Sequence, residues 1–309
     1  MVSMGTRAAL LKRARRRMEL PLHLMLIPGI VVVFIYSYLP MFGIIMAFQK
    51  FSPALSFWGS KFVGLKNFSY IFLMPEFSRA LWNSVYLSFL KILAGISVPL
   101  LLSILINEVG LSTFKRTVQT SIFLPFFLSW AVLGGIIQEI FSLFGPINHI
   151  LVSAFGMDPV YFMGDNHWFP AILVGTDVWK GAGYNTIIFL AAITNIDPTL
   201  YEAAEMDGCG KLRQAWYITL PGMAPIIILL STLSIGSLLN AGFEQIFILY
   251  NPLVYESSDI IDTLVYRIGL LNGQLAPGAA MGLFKSVISL VLVGLSYFMA
   301  YRYSDYRIF

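Results

Sequence analysis

Long apolar runs separated by short polar segments dominate the pattern along the chain. A helix needs about 20 apolar residues to cross the hydrocarbon core of a membrane. Three runs of that length carry no charged residue, and three more reach it when one or two charges are tolerated. The six predicted spans cover residues 24–48, 80–106, 117–138, 168–195, 214–243 and 279–301. The pattern therefore predicts an all-α membrane protein with six transmembrane helices.

The composition supports a membrane location. Of 309 residues, 58% are hydrophobic and 12% are charged, and the mean hydropathy is +0.78. A soluble domain carries roughly 25% charged residues, so a soluble globular protein is excluded. The single cysteine, Cys209, excludes an internal disulfide and a cysteine-rich metal site.

Basic residues are concentrated in the first 20 positions. They are Arg7, Lys12, Arg13, Arg15, Arg16 and Arg17. Cytoplasmic segments of membrane proteins carry an excess of Lys and Arg, so this end is predicted to be cytoplasmic. With six spans, both termini are then expected in the cytoplasm.

The spans and charges together predict the organisation of the chain. Residues 1–20 form a basic cytoplasmic N-terminus, 21–49 the first transmembrane helix and 50–79 an extracytoplasmic loop. Residues 80–303 form a five-helix core that includes a polar cytoplasmic loop, 197–218, between the fourth and fifth spans. Residues 304–309 form a cytoplasmic tail.

The polar loop carries strong local signals for a short helix with a sharp end. Asp197-Pro198 suits a helix start, because Asp caps the first turn and Pro fits its first position. Gly208 permits a left-handed stop, and Gly210 begins a second short turn. Two alanines, Ala203 and Ala204, allow the backbone of another protein to approach closely.

This loop resembles the signature loop of the permease subunits of binding-protein-dependent ABC importers. The resemblance rests on Glu202-Ala203-Ala204, on Gly208 and on the later run Ile218-Thr219-Leu220-Pro221. Further along, residues 242–247, 262–270 and 282–286 resemble the LplB-type polysaccharide permeases of the carbohydrate-uptake branch, which are related to the maltose permease subunits.

The resemblance implies one transmembrane subunit of an importer in the bacterial cytoplasmic (inner) membrane. It implies a second homologous permease, expected to be a different chain, two cytoplasmic ATP-binding subunits and an extracytoplasmic solute-binding protein that delivers an oligo- or polysaccharide. Alternating access, driven by ATP, would then carry the sugar across. The residues implied to lie in or beside the ATPase groove are Glu202, Ala203, Ala204, Asp207 and Gly208.

The sequence contains no catalytic or nucleotide-binding motif of its own. Residues 208–212 lack both the spacing and the hydroxyl of a phosphate-binding loop. We therefore expect the chain not to be an enzyme, and expect ATP and Mg to bind in the partner subunits. The histidines, His23, His149 and His167, are scattered without ligand spacing, so neither a metal site nor another cofactor is expected, and nucleic acid is not an expected partner.

Polar and aromatic residues in the spans are candidates for the substrate path, because sugars bind to amides, carboxylates and flat aromatic rings. Polar residues within a membrane tend to face a cavity or a partner; hydrogen bonding between helices is the alternative for each. The candidates are Trp130, Trp179, Lys180, Asn185, Asn240, Glu244, Gln245 and Lys285. Among them, Lys180 and Lys285 raise the hypothesis of an acidic sugar, such as an alginate- or pectin-like oligomer.

Two other classes of function are weighed against the importer. An ion-coupled secondary sugar transporter would favour inverted repeats and buried acids in discontinuous helices, and no repeat is obvious in the chain. A membrane enzyme or scaffold would need a catalytic cluster or a binding module, and the sequence offers neither. Dependence on ATPase subunits separates the first alternative from the importer.

Overall fold

The computed structural model describes residue 21 and residues 23–303. This part of the chain is almost wholly helical and contains one short antiparallel hairpin. The basic segment 1–20 and the tail 304–309, both expected in the cytoplasm, lie outside the described residues.

The helices are numbered in chain order. They are α1 (His23–Phe48), α2 (Ser56–Gly59), α3 (Lys66–Phe72), α4 (Pro75–Glu108), α5 (Ser112–Phe123), α6 (Trp130–Ile140), α7 (Pro146–Phe155), α8 (Phe169–Thr194), α9 (Pro198–Met206), α10 (Lys211–Gln214), α11 (Leu220–Gly236), α12 (Phe243–Leu249), α13 (Tyr255–Ser258), α14 (Ile261–Val265) and α15 (Leu275–Tyr303). Short 3-10 segments lie at Pro53–Leu55, Leu124–Phe127, Phe162–Gly164 and Pro252–Val254, and α1 ends in a 3-10 stretch, Leu39–Phe48. Wider π turns lie at Phe34–Tyr38, Ala215–Thr219 and Tyr266–Leu271. Strands β1 (Gln49–Lys50) and β2 (Lys61–Phe62) pair antiparallel.

Four helices of the described chain are long and apolar enough to cross a membrane. They are His23–Phe48, Pro75–Glu108, Lys211–Gly236, which includes α10 and α11, and Leu275–Phe298. A fifth span follows if α5 and α6 count as one bent span. Helix α8 has 26 residues, which is long enough to cross a membrane, but it is not among these candidate spans. The six-span topology stays a prediction.

Two predicted spans are interrupted. The range 117–138 was expected as one helix, but the chain bends by 105° between α5 and α6. Pro125 lacks the N–H that would continue an α-helix, and the side chain of Ser129 caps α6 instead. The range 214–243 was also expected as one helix, but α11 ends at Gly236 and α12 begins only at Phe243. Continuous helices are wrong at both places.

Helix α4 is the central element of the packing. It has 34 residues, so it is about 50 Å long at 1.5 Å per residue. Its Phe77, Leu87 and Ile106 each belong to a different buried apolar cluster. The middle cluster joins α4 to α6, α8 and α12. The polar residues described below therefore lie beside a helix that is fixed along its whole length.

One glycine lets two helices touch backbone to backbone. A Cβ added at Gly183 of α8 would lie 2.5 Å from the Cα of Phe123 in α5 and would overlap the carbonyl oxygen of Ile122. Small residues of this kind permit close helix packing in membranes. Gly175, two turns earlier on the same helix, has open space around it.

We expect Gly183→Ala to destabilise the protein, because the added methyl group collides with a backbone that cannot move independently. Overpacking of this kind costs about 1–3 kcal/mol and should lower the apparent Tm of the detergent-purified transporter by several degrees. Gly175→Ala is the matched control and should leave Tm unchanged or raise it, since Ala favours a helix over Gly. Equal Tm values for the two variants would show that the α5–α8 contact is not tight.

Candidate functional site

A polar cavity lies between α4, α8 and the segment that follows α11. Ser88, Lys91 and Gly95 follow one another at intervals of three and four residues, which puts them on one face of α4. Residues 177, 181 and 185 are four apart and share one face of α8. The segment 237–242 forms the third side of the cavity. The cavity has a volume of about 250 Å³.

An ion pair between a buried lysine and a half-buried aspartate forms part of its wall. The ammonium group of Lys91 is 3.6 Å from the carboxylate of Asp177. Its Nζ also donates to the carbonyl oxygen of Ala241 at 2.7 Å and to Oε1 of Gln245. An unpaired charge inside a membrane protein is costly, so each of the two charges depends on the other.

Gly242 makes this arrangement possible at the break in the fifth predicted span. Its φ angle is +89°, in the left-handed region that glycine tolerates, and a Cβ there would lie 3.1 Å from Nζ of Lys91. Gln245, which is fully buried, then donates to the carbonyl oxygen of Leu173 and to Thr176 Oγ1, both at 2.8 Å. The start of α12 is thereby held by α4 and α8 together.

A second set of polar contacts compensates for a backbone hydrogen bond that α4 cannot form. Pro99 has no N–H, so the carbonyl oxygen of Gly95, four residues earlier, loses its helical partner. Asn185 of α8 donates to this oxygen at 3.3 Å. Thr186 donates to the carbonyl oxygen of Pro99 at 3.5 Å. Asn185 therefore lies at the cavity wall with an amide that supports α4.

The structure places two of the predicted path residues, Asn185 and Asn240, on the cavity wall. Gln245 lies behind the wall and positions Lys91. Trp179 and Glu244 are exposed and do not line this cavity. A path role for any of them stays a prediction.

Lys180, Trp130 and Lys285 lie away from the cavity. Lys180 donates to the carbonyl oxygen of Phe126 at 3.0 Å, and to those of Pro125 and Leu128. It thereby covers the bend between α5 and α6, 5.6 Å from the ring centre of Trp130. Lys285 of α15 pairs with Asp262 of α14 at 2.6 Å. Both lysines therefore have structural partners, and the charge argument for an acidic sugar does not rest on them.

Sequence reasoning left two cavity residues out of the candidate path, Lys91 and Asp177. The available signal was a base, Lys91, in one predicted span and an acid, Asp177, near Lys180 in another. Opposite charges in two spans are the pattern of an interhelical ion pair. A larger groove of about 940 Å³ lies beside Trp82 and Tyr86. Its walls are more apolar than those of the smaller cavity and include the aromatic rings of Trp82 and Tyr86.

The polar loop between α8 and α11 has the conformation that the sequence predicts. The carboxylate of Asp197 accepts from the N–H of Thr199 at 2.9 Å, which lowers the pKa of Asp197, and Pro198 begins α9. Gly208 ends the helix with φ = +71°, and Gly210 begins α10. The predicted helix, left-handed stop and second turn are confirmed.

Most of α9 faces away from the rest of the chain. Glu202, Ala203, Asp207 and Gly208 are exposed, and Ala204 is half-buried. Met206, 88% exposed, adds an apolar side chain to this surface. The surface thus combines carboxylates with small and apolar groups, which suits contact with another protein.

The opposite side of α9 is bonded to the bundle. The hydroxyl of Tyr201 lies 3.0 Å from Oγ1 of Thr219 at the start of α11. Lys211 lies 2.8 Å from Glu205 and 4.0 Å from Glu108 at the end of α4. Its hydrogen bond lowers the pKa of Glu205. These contacts join α9 to the start of α11 and to the end of α4.

Comparison with known proteins agrees with this geometry. The family described as "Binding-protein-dependent transport system inner membrane component" matches residues 20–305. Protein LplB of Bacillus subtilis (strain 168) is 40% identical over 289 residues, which are 93% of this chain and 91% of that protein. The polygalacturonan/rhamnogalacturonan transport system permease protein YteP of the same organism is 40% identical over 288 residues, covering 93% and 90% of the two chains.

A solved structure is similar over almost its whole length. One chain of a bacterial alginate ABC transporter in complex with alginate pentasaccharide-bound periplasmic protein has a TM-score of 0.86 and 35% identity. The match covers 97% of this chain and 99% of that chain. On the family match, the two relatives and this fold, the chain belongs to the inner membrane components of binding-protein-dependent transport systems.

Proposed function

We propose that this chain is one transmembrane subunit of an ATP-driven importer that moves an oligo- or polysaccharide across the bacterial inner membrane by alternating access. The observation that carries the proposal is α9. It is exposed on one side and is bonded on the other to the start of α11 through Tyr201 and Thr219. A force applied to this helix from outside the membrane would be transmitted to α11, which is part of a candidate span.

The proposal includes partners. A second, homologous permease completes the pathway, two cytoplasmic subunits bind ATP and Mg, and an extracytoplasmic solute-binding protein delivers the sugar. Glu202, Ala203, Ala204, Asp207 and Gly208 form the surface that each ATP-binding subunit would contact. Six spans with both termini in the cytoplasm complete the topology. The chain itself carries out no catalysis.

The geometry supplies a route from α9 to the cavity. Helix α11 has 17 residues and is about 26 Å long at 1.5 Å per residue. Its first turn follows Thr219, the partner of Tyr201, and its last residue precedes the segment 237–242 that lines the cavity. Movement of α9 therefore displaces the cavity wall through one rigid element.

An acidic sugar is the substrate class that the similar proteins favour. Relatives whose names specify polygalacturonan and alginate carry polymers of uronic acids. We therefore propose a uronate oligomer, and a neutral oligosaccharide is the alternative.

One observation favours a second candidate, an ion-coupled secondary sugar transporter. The Lys91–Asp177 pair lies between candidate spans, and such pairs mark proton pathways in some transporters. Hydrogen bonds from Lys91 to Ala241 and Gln245 give the pair a structural reason to exist, so the importer remains the better-supported function.

Gly208→Ala should uncouple the transporter. Its φ of +71° is costly for any residue with a Cβ, by roughly 1–2 kcal/mol, so the end of α9 should shift. We expect sugar-stimulated ATP hydrolysis by the reconstituted complex to fall at least about fivefold. Gly210→Ala is the control: it lies two residues away at φ = −70° with open space around it. Similar losses of ATP hydrolysis in both variants would contradict a specific role for the left-handed residue that ends α9.

Sugar-stimulated ATPase activity of the reconstituted complex tests the function and the substrate class together. The complex contains both permeases, the ATP-binding subunits and the solute-binding protein, and it is offered neutral and acidic oligosaccharides. We expect stimulation by uronate oligomers and none by neutral ones. Stimulation by neutral oligosaccharides alone would overturn the acidic class, and uptake without ATP-binding subunits would favour the ion-coupled alternative.

A further inference from the structure

The carboxylate of Asp177 is unusual among the charged groups of this chain because it faces the cavity with free acceptor positions. Within the described residues its one polar partner is Lys91, at 3.6 Å, which is beyond normal hydrogen-bond distance. The Asp177 side chain is 36% exposed. An ionised carboxylate accepts about four hydrogen bonds, so Asp177 is available to donors that enter the cavity.

The other polar groups of the wall complement this acceptor. Asn185 and Asn240 offer amides, and Ser88, Ser234 and Ser237 offer hydroxyl groups. Asn185, Asn240, Ser88 and Ser234 can each donate and accept, which matches a ligand whose hydroxyl groups do both. The hydroxyl of Ser237 donates to the carbonyl oxygen of Ser234 at 2.9 Å and remains available as an acceptor. Charge-assisted bonds from hydroxyl groups to a carboxylate are the strongest in such a set.

The size of the cavity limits the ligand. Its volume of about 250 Å³ is below the ≈ 300–1,000 Å³ of pockets that bury drug-sized molecules. It therefore suits one sugar ring at a time rather than a folded oligosaccharide.

The electrostatics of the cavity also restrict what it recognises. Lys91 and Asp177 are the charged residues of its lining, and their formal charges cancel. Lys91 is buried, and two of its three ammonium hydrogens are donated to the carbonyl oxygen of Ala241 and to Oε1 of Gln245. The nearby carboxylate of Asp177 balances its charge, which disfavours binding of a substrate carboxylate beside this pair.

We propose that Asp177 is a specificity-determining residue that accepts hydrogen bonds from the hydroxyl groups of a single sugar ring. In this proposal Lys91 is a positioning residue, which holds the carboxylate of Asp177 in place on the wall. The cavity selects hydroxyl groups, and the carboxylate of an acidic sugar is not recognised there. This inference rests on the function proposed above and identifies the residue that recognises the sugar.

Equilibrium binding of a labelled alginate trisaccharide to the purified complex of permeases and ATP-binding subunits, without the binding protein, tests it. Asp177→Asn should raise Kd about tenfold, whereas Asp158→Asn, in the exposed loop before α8, should leave Kd unchanged. The carboxyl-reduced, neutral trisaccharide should bind the native complex as tightly as the acidic one. A native Kd in Asp177→Asn, or loss of binding on carboxyl reduction, would overturn the proposal.

A double variant separates recognition from folding. Lys91→Gln/Asp177→Asn removes both charges but keeps an amide that can donate to the carbonyl oxygen of Ala241 and to Oε1 of Gln245, so the Tm of the complex should lie close to the native value while the Kd stays raised. Recovery of native binding together with Tm would mean that the pair is only structural.

Partial O-methylation of the trisaccharide gives a second readout. The native complex should prefer the free hydroxyl form about tenfold, and Asp177→Asn should lose this preference; an unchanged preference would overturn the role of Asp177. Uptake of the same sugar into proteoliposomes by the native complex, with binding protein and ATP, is measured in parallel. Absence of uptake refutes the importer, whereas uptake with unaltered binding by Asp177→Asn refutes only the present inference.

Discussion

Backbone carbonyl groups that lose their helical partner must find another donor, because the hydrocarbon core of a membrane supplies none. This chain breaks or weakens its helices at several points, and a side chain from a neighbouring helix covers each one described here. Lys91 donates a hydrogen bond to the carbonyl oxygen of Ala241, and Asn185 donates one to that of Gly95. Lys180 donates to the carbonyl groups at the bend between α5 and α6. Two of these donors, Lys180 and Asn185, belong to α8. The polar residues of the bundle are thus what permits its irregular shape.

The contrast between local and long-range signals explains which features could be predicted from the sequence. The shape of α9 was predictable because Asp197, Pro198 and Gly208 act on their immediate neighbours through capping and backbone freedom. The interruptions inside 117–138 and 214–243 were not, since an apolar run carries no mark of the donor that will stabilise its break. Asn185 and Asn240 were recognised as polar residues in apolar surroundings. Pairing Lys91 with Asp177 required the relative register of α4 and α8, which only the folded chain contains.

The two ends of α11 connect the features that matter for transport. At one end, Tyr201 and Thr219 join it to a helix that faces outward from the bundle. At the other, the chain leaves helical conformation and forms a cavity wall held by Lys91 and Gln245. Helix α11 thereby connects an exposed surface helix to the segment that forms the cavity wall.

The close pairing of Lys91 and Asp177 has an electrical consequence. Moving one elementary charge across a membrane involves about 2.3 kcal/mol per 100 mV. Two opposite charges 3.6 Å apart that move together transfer no net charge through that field. A joint displacement of Lys91 and Asp177 across the membrane therefore costs the same energy at any membrane voltage.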